Sequence, residues 1–147
     1  MAIKLFQVMS ITCLLLSSCI SRNSNKISKV AVNEMIEYPG TYICDQKNLI
    51  LNIKILEPSI VGISISDTAG KTYHITNFLG TSDYQRWFFL IDSFSNVWLE
   101  SGDLGLCTIQ KKNDTTYYMD AYRDRNRKNL PDYIYNKLPD ISKRDFR

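Results

Sequence analysis

A two-residue alternation of apolar and polar positions runs through the middle of the chain. It is clearest in residues 51–55 and 61–66, where isoleucine, leucine and valine alternate with asparagine, lysine, glycine and serine. Successive side chains of a strand point to opposite faces, so this period predicts half-buried strands, and the β-branched content favours them. The turn-forming sequence Glu57-Pro58-Ser59 between the two runs predicts that they pair as a hairpin.

Further short segments of the same kind follow, each bounded by glycine, asparagine, aspartate or serine. The predicted strands are residues 41–44, 51–55, 61–66, 71–76, 86–91, 97–100, 104–110 and 115–119. About eight short strands at this spacing are typical of a single small antiparallel β-barrel or sandwich, so the fold class is all-β. Residues 77–85 are predicted to form a longer loop.

The pattern changes on both sides of this region. Residues 21–29 are polar and predict a flexible tether, because they lack the apolar side chains of a packed element. Short helices are predicted at residues 30–37 and 131–138, and the charged residues 123–129 predict a surface segment. The predicted organisation is a leader at 1–18, a tether at 19–37, a β domain at 38–121 and a charged C-terminal extension at 122–147.

The leader resembles the signal peptide of a bacterial lipoprotein. Lys4 supplies a positive charge, the apolar residues 5–16 are too few to span a bilayer, which takes about 20, and Leu16-Ser17-Ser18-Cys19 resembles a lipobox. The resemblance implies export, a diacylglycerol thioether on Cys19 and cleavage before that residue. Lipoproteins with aspartate directly after the lipidated cysteine tend to stay in the inner membrane, whereas this chain has Ile20 there. The resemblance therefore favours the outer membrane, with the domain facing the periplasm. The alternative is an ordinary secretory signal that contains a cysteine.

Charge and cysteine content narrow the choice of partners and ligands. The 18 basic and 15 acidic residues are too balanced to predict nucleic-acid binding. Once Cys19 carries a lipid, Cys44 and Cys107 are the cysteines of the exported domain, and an even pair in an oxidising compartment predicts a disulfide. Two separate buried thiols are the alternative. Cys44, Cys107 and the distant His74 do not have the spacing of a zinc site. We therefore expect neither a metal nor a cofactor.

The residues give little support for catalysis. The chain has one histidine, which is predicted on the solvent face of a strand, and it lacks a nucleophile elbow, a phosphate-binding loop and a His-Glu-x-x-His motif. Glycoside hydrolysis would need two acidic residues from different turns to lie close together in space. Acidic residues are common in turns for structural reasons, so their presence alone does not indicate this chemistry. The acidic residues in question are Glu57, Asp83, Glu100 and Asp103. We therefore predict a protein that binds and has no catalytic residues.

Two segments resemble the membrane-bound inhibitors of c-type lysozyme. Residues 42–47, Tyr-Ile-Cys-Asp-Gln-Lys, are similar to the opening of that family, and residues 97–103 are similar to its aromatic strand ending in Lys-Gly-Asp. The resemblance implies a lipid-anchored, eight-stranded barrel with a disulfide, which inhibits by inserting a loop and a lysine into the lysozyme cleft. Residues 80–84 keep the tyrosine of that loop but lack its Ser-Gly pair, and Ser101 stands at the lysine position.

The resulting hypothesis is an envelope lipoprotein that blocks a periplasmic lytic or toxin enzyme, as an inhibitor or immunity-type protein. The loop aromatics Phe78, Tyr84 and Phe94 are expected to be exposed, whereas most other aromatics are expected in the core. The protein partner would contact the loop at residues 80–84 and the turn at residues 101–103. The predicted contact residues are Ser82, Asp83, Tyr84, Ser101 and Asp103.

The alternative hypothesis is a structural or assembly lipoprotein that docks on an envelope secretion or surface machine. Basic and acidic residues are interleaved in residues 122–147, and such a segment would suit an anionic surface or an acidic partner. A solvated surface is the simpler interpretation of mixed charge. The basic residues are Arg123, Arg125, Arg127, Lys128, Lys137, Lys143, Arg144 and Arg147.

Overall fold

The structure is a computed structural model that describes residues 26–147, so the predicted signal peptide and the predicted lipidation site Cys19 lie outside the described residues. Its strands are β1 (Ile27–Lys29), β2 (Gly40–Cys44), β3 (Leu49–Leu56), β4 (Ile60–Asp67), β5 (Thr72–Thr76), β6 (Thr81–Ser82), β7 (Trp87–Ile91), β8 (Val97–Ser101), β9 (Gly105–Lys111) and β10 (Thr116–Ala121). Its helices are α1 (Asp132–Tyr135) and α2 (Asp140–Lys143), with short 3-10 turns at Asp45–Lys47 and Arg127–Asn129. Within residues 26–147, no helix is long and apolar enough to cross a membrane.

The strands form one curled half-barrel sheet in the order β1-β2-β3-β4-β5-β10-β9-β8-β7, and β6 pairs with β4 outside this path. The neighbours are antiparallel except for the parallel pairs β1–β2 and β5–β10. The all-β prediction is confirmed, and each of the eight predicted strands is present. β1 and β6 are additional, because strands of three and two residues are too short to show a period.

β3 and β4 form the predicted hairpin. They pair along all eight residues of each strand, and residues 57–59 make the turn. Leu51 and Ile53 on β3, with Val61 and Ile65 on β4, are buried in the inner core of the sheet. A slip of one residue would move this apolar set to solvent, so the sequence pattern itself determines the register.

Residues 30–36, which we call the seam segment, bridge the two edges of the curled sheet. On one side, the Val30 N–H donates to the Ile43 carbonyl of β2 at 3.0 Å. On the other side, Ile36 and Phe89 of β7 exchange backbone hydrogen bonds of 2.8 and 2.9 Å. The segment therefore joins strands at opposite ends of the sheet order.

The helix predicted at residues 30–37 is wrong. Val32, Met35 and Ile36 have a spacing that also suits a helix, but here Val32 and Ile36 pack against the inner core while the backbone bonds to β2 and to the edge strand β7. Pairing with distant strands has overridden the local pattern. For the same reason, residues 27–36 of the predicted tether belong to the sheet.

The disulfide predicted between Cys44 and Cys107 is not formed, and both are free, buried thiols. Cys44 ends β2 and Cys107 lies in β9, with four strands between them in the sheet order. Each side chain packs in the inner core as a small apolar group. Burial raises the pKa of both thiols, because the thiolate loses its hydration. The alternative of two separate thiols is therefore the one found.

The C-terminal extension covers the outer face of β7, β8 and β9. The short helix predicted within residues 131–138 is present as α1, and residues 123–126 are exposed as predicted. From the sequence, none of the well-spaced apolar side chains of the extension was predicted to lie in a core, but they are buried against the sheet. This outer core consists of Phe88, Leu90, Trp98 and Leu106 from the strands and Leu130, Ile134, Leu138 and Phe146 from the extension.

Two buried carboxylates also connect the extension to the sheet. Asp92 accepts a hydrogen bond from Trp98 Nε1 at 2.9 Å and lies 3.5 Å from the Tyr133 hydroxyl. Burial, followed by the charge of Asp92, raises the pKa of Tyr133 to about 12. Glu100 accepts from the Ser142 hydroxyl of α2 at 2.6 Å. These contacts give the extension a defined position on the sheet.

Candidate functional site

Three connections meet at one end of the sheet, which we call the loop end. They are the β3–β4 turn (57–59), the β5–β7 connection (77–86) and the β8–β9 turn (102–104). The described chain also enters here, because the Thr41 N–H at the start of β2 donates to the Lys26 carbonyl at 2.9 Å. The opposite end of the sheet, the far end, carries the turns at 45–48, 68–71, 92–96 and 112–115.

The Asp103 carboxylate holds two of these connections together. One oxygen accepts from the hydroxyls of Thr81 and of Ser101, the latter at 2.9 Å, and the other accepts from the Ser82 N–H at 3.0 Å. Thr81 and Ser82 form β6, whereas Ser101 ends β8. The two connections are therefore fixed relative to each other by hydrogen bonds to one charged group, and such bonds are stronger than neutral ones.

The pKa of Asp103 reports this arrangement. Partial burial of the carboxylate raises the pKa, but the hydrogen bonds from Thr81, Ser82 and Ser101 favour the ionised form and outweigh it. The net pKa lies below the ordinary value of 3.8. Asp103 is consequently ionised at neutral pH and acts as an acceptor at the centre of the site.

Backbone pairing positions the β5–β7 connection on the edge of β4. Ser82 lies opposite Ile60, and the Asp83 N–H donates to the Ser59 carbonyl at 2.8 Å. Gly80 lies so close to Ile60 that a side chain at position 80 would overlap the isoleucine. The Tyr84 N–H then donates to the Ser82 hydroxyl at 3.3 Å as the chain turns. The result is a tight turn fastened to the sheet.

Tyr84 stands at the tip of this turn and is 85% exposed. Leu56, Ile60 and Leu79 beside it are also exposed, and we call these four side chains the apolar rim. Leu56 and Ile60 face each other across the hairpin, and Ile60 in turn lies opposite Ser82. Grouped apolar side chains on a surface mark sites of interaction, and tyrosine is enriched at positions that dominate binding energy.

The structure brings the five predicted contact residues to one end of the sheet. Ser82, Ser101 and Asp103 lie within one hydrogen-bond network, and Asp83 and Tyr84 extend from it. Sequence reasoning missed the central role of the buried Thr81 and the exposure of the aliphatic part of the rim. A threonine within a polar loop was the available signal for the former, since such side chains commonly make local hydrogen bonds.

Other candidate groups lie elsewhere. Phe94 is exposed as expected but belongs to the far end, whereas Phe78 is partly buried against the inner core, so its expected exposure is wrong. Of the four turn carboxylates, Glu57, Asp83 and Asp103 lie at the loop end, and Glu100 is buried beneath α2 on the outer face. His74 is exposed in β5, as predicted. Within residues 26–147, no group of three or more histidine, cysteine, aspartate or glutamate side chains could hold a metal ion.

Comparison of the chain with known protein families, with curated proteins and with solved structures finds no match. The resemblance to lysozyme inhibitors therefore stays a prediction from the residues that carry it. The site is described by its own geometry: a rigid, apolar-rimmed turn supported by an ionised carboxylate.

Proposed function

We propose that this chain is a lipid-anchored envelope protein that acts by binding, with the loop end as its contact surface. The partner is a periplasmic lytic or toxin enzyme, which the chain blocks as an inhibitor or immunity-type protein. The anchor is the lipid on Cys19, in the outer membrane and facing the periplasm. The single observation that carries the proposal is the Asp103 network, which holds the Tyr84 turn and the β8–β9 turn as one unit.

Rigidity is the reason this geometry supports binding. A loop that is ordered before it meets a partner loses less conformational entropy on association, so more of its contact energy contributes to affinity. Tyr84 adds a large amphipathic surface that is largely exposed in the free protein. The arrangement therefore provides a contact residue on a fixed support.

Support for docking through the C-terminal extension is weaker. Its apolar side chains Leu130, Ile134, Leu138 and Phe146 are buried against the sheet, so they are not available to a partner. Its exposed charges make local contacts, such as the 3.7 Å ion pair of Arg125 with Asp145. Exposed pairs of this kind contribute little energy and are common on solvated surfaces.

The test is inhibition of a panel of peptidoglycan-degrading enzymes and envelope toxins by the acylated mature chain in detergent micelles. We expect one target to be inhibited, and we expect Tyr84→Ala to weaken that inhibition by about tenfold or more, as for a residue that dominates binding. Phe94→Ala is the matched control, because Phe94 is 78% exposed but lies at the far end. Equal effects of the two substitutions, or no inhibition of any target, would contradict the proposal.

A further inference from the structure

The described chain enters the sheet at the end that carries the contact surface. β1 runs parallel to β2 and starts beside Thr41, so the chain enters at the loop end. Six of the nine exposed large apolar side chains lie at or beside this end. They are Ile27, Tyr38, Leu56, Ile60, Leu79 and Tyr84.

The chain upstream of the entry point is short. Only residues 20–25 separate Cys19 from Lys26. Seven residue steps at no more than ~3.6 Å each cannot exceed roughly 25 Å, even at full extension. A lipid on Cys19 would therefore hold the loop end within about this distance of the bilayer, which is less than the ~30 Å diameter of a small folded domain.

The β3–β4 hairpin reduces the gap further. Ile53 lies level with Gly40 at the start of β2, and the hairpin continues beyond it to the turn at residues 57–59. Each further residue of a strand adds ~3.3 Å, so Leu56 and Ile60 project past the entry point by about 10 Å along the strands. With the strands along the membrane normal, a freely diffusing enzyme would have to enter a space narrower than itself to reach Tyr84.

We therefore infer, on the basis of the proposed function, that the partner of the loop end is a protein which is itself held in or on the membrane. Such a partner presents its contact surface beside the bilayer, where the short tether places Tyr84. A protein suits this site better than the bilayer does, because Glu57 stands beside the apolar rim. A carboxylate is costly to transfer into hydrocarbon, whereas a protein surface can pair it.

The rigidity of the turn leads to the same choice. The Asp103 network fixes Tyr84 relative to the β8–β9 turn, and a fluid lipid surface would gain nothing from such fixed geometry. A complementary protein surface would gain specificity from it. The partner predicted here is thus a membrane-held protein with an apolar pocket for Tyr84 and a cationic group beside that pocket for Glu57.

The test uses the full chain made in a bacterial envelope, with the photoreactive amino acid benzoylphenylalanine at position 84 or, as control, at position 94. A protease recognition sequence of equal length replaces residues 20–25, so that the domain can be cut from its lipid after illumination. We expect the position-84 domain to stay in the membrane after cutting, attached to a polypeptide. We expect the position-94 domain to be released without an adduct.

Three outcomes would overturn this inference: polypeptide adducts that leave with the released domain, adducts with the mass of a phospholipid, and no adduct at position 84. The first would assign a soluble partner and the second the bilayer itself. The mass of the chain before cutting separates this failure from failure of the proposed function, because an unacylated chain contradicts the anchor. An acylated chain with a soluble partner contradicts only the membrane-held partner.

Discussion

The Asp103 carboxylate accepts a hydrogen bond of 3.0 Å from the Ser82 backbone N–H, which belongs to a connection 21 residues earlier in the chain. This contact joins the β8–β9 turn to the edge strand β6. Because β6 has only two residues, backbone pairing alone gives it little support. The carboxylate is thus the main polar support for the turn that presents Tyr84.

Replacement of Asp103 by asparagine should loosen this turn. Asparagine preserves the shape but replaces one acceptor oxygen with an NH2 group and removes the charge, so at least one of the three hydrogen bonds is lost. We expect a loss of about 1 kcal/mol in the free energy of unfolding. We also expect faster hydrogen exchange of the Ser82 amide. Asp114→Asn is the control, since the Asp114 side chain is 96% exposed and lies at the far end. Unchanged exchange at Ser82 in Asp103→Asn would show that the network does not hold the loop.

Acid should weaken the same contact. The pKa of Asp103 is lowered in the folded protein, so its ionised form stabilises the fold above the ordinary carboxyl value of 3.8, and this contribution is lost as the pH falls through the folded pKa. Urea unfolding from about pH 5 down to pH 2 should therefore show a steeper loss of stability for the wild type than for Asp103→Asn. Parallel curves for the two proteins would contradict the lowered pKa.

The strands were predictable because their information is local. The alternation in residues 51–55 and 61–66 and the turn between them determine β3 and β4 without reference to the rest of the fold. The seam segment was not predictable, because Val32, Met35 and Ile36 have a spacing that suits a helix. Only the backbone bonds to the distant residues Ile43 and Phe89 favour an extended backbone.

The sequence pointed to residues that the structure places at one end of the sheet, but not to the contact at their centre. Tyr84 and Asp103 were chosen from the resemblance to lysozyme inhibitors, and Tyr84 also as a loop aromatic. That Thr81 is buried and bonds to Asp103 depends on how two connections meet in space, and no local pattern encodes such a meeting. The same holds for the C-terminal extension. Its widely spaced apolar residues form no local pattern, and they are buried only because they pack on the outer face of the sheet.

The extension should contribute substantially to stability. Ile134 of α1 is fully buried in the outer core, whereas Ile141 of α2 is 74% exposed. Ile134→Ala removes buried apolar volume and leaves a cavity, so we expect a loss of about 2–4 kcal/mol in the free energy of unfolding. Ile141→Ala makes the same chemical change at an exposed position and should cost less than about 0.5 kcal/mol. Urea denaturation of both variants measures the difference, and similar costs would argue against the packing of the extension.

Both core thiols should be free and protected. Burial raises the pKa of Cys44 and Cys107, and an alkylating reagent attacks the thiolate, so neither should react in the folded mature chain. Both should react after unfolding in the absence of reductant, which mass spectrometry would record as two added groups. Resistance of the unfolded chain to alkylation until a reductant is added would show that the two cysteines are joined.

Lipid anchoring underlies both proposals, and the intact mass of the chain extracted from bacterial membranes tests it most directly. We expect a chain that begins at Cys19 and carries a diacylglycerol group on that residue, with a further acyl chain on its amino group. A chain that retains residues 1–18, or one that begins elsewhere and carries no acyl group, would contradict this expectation.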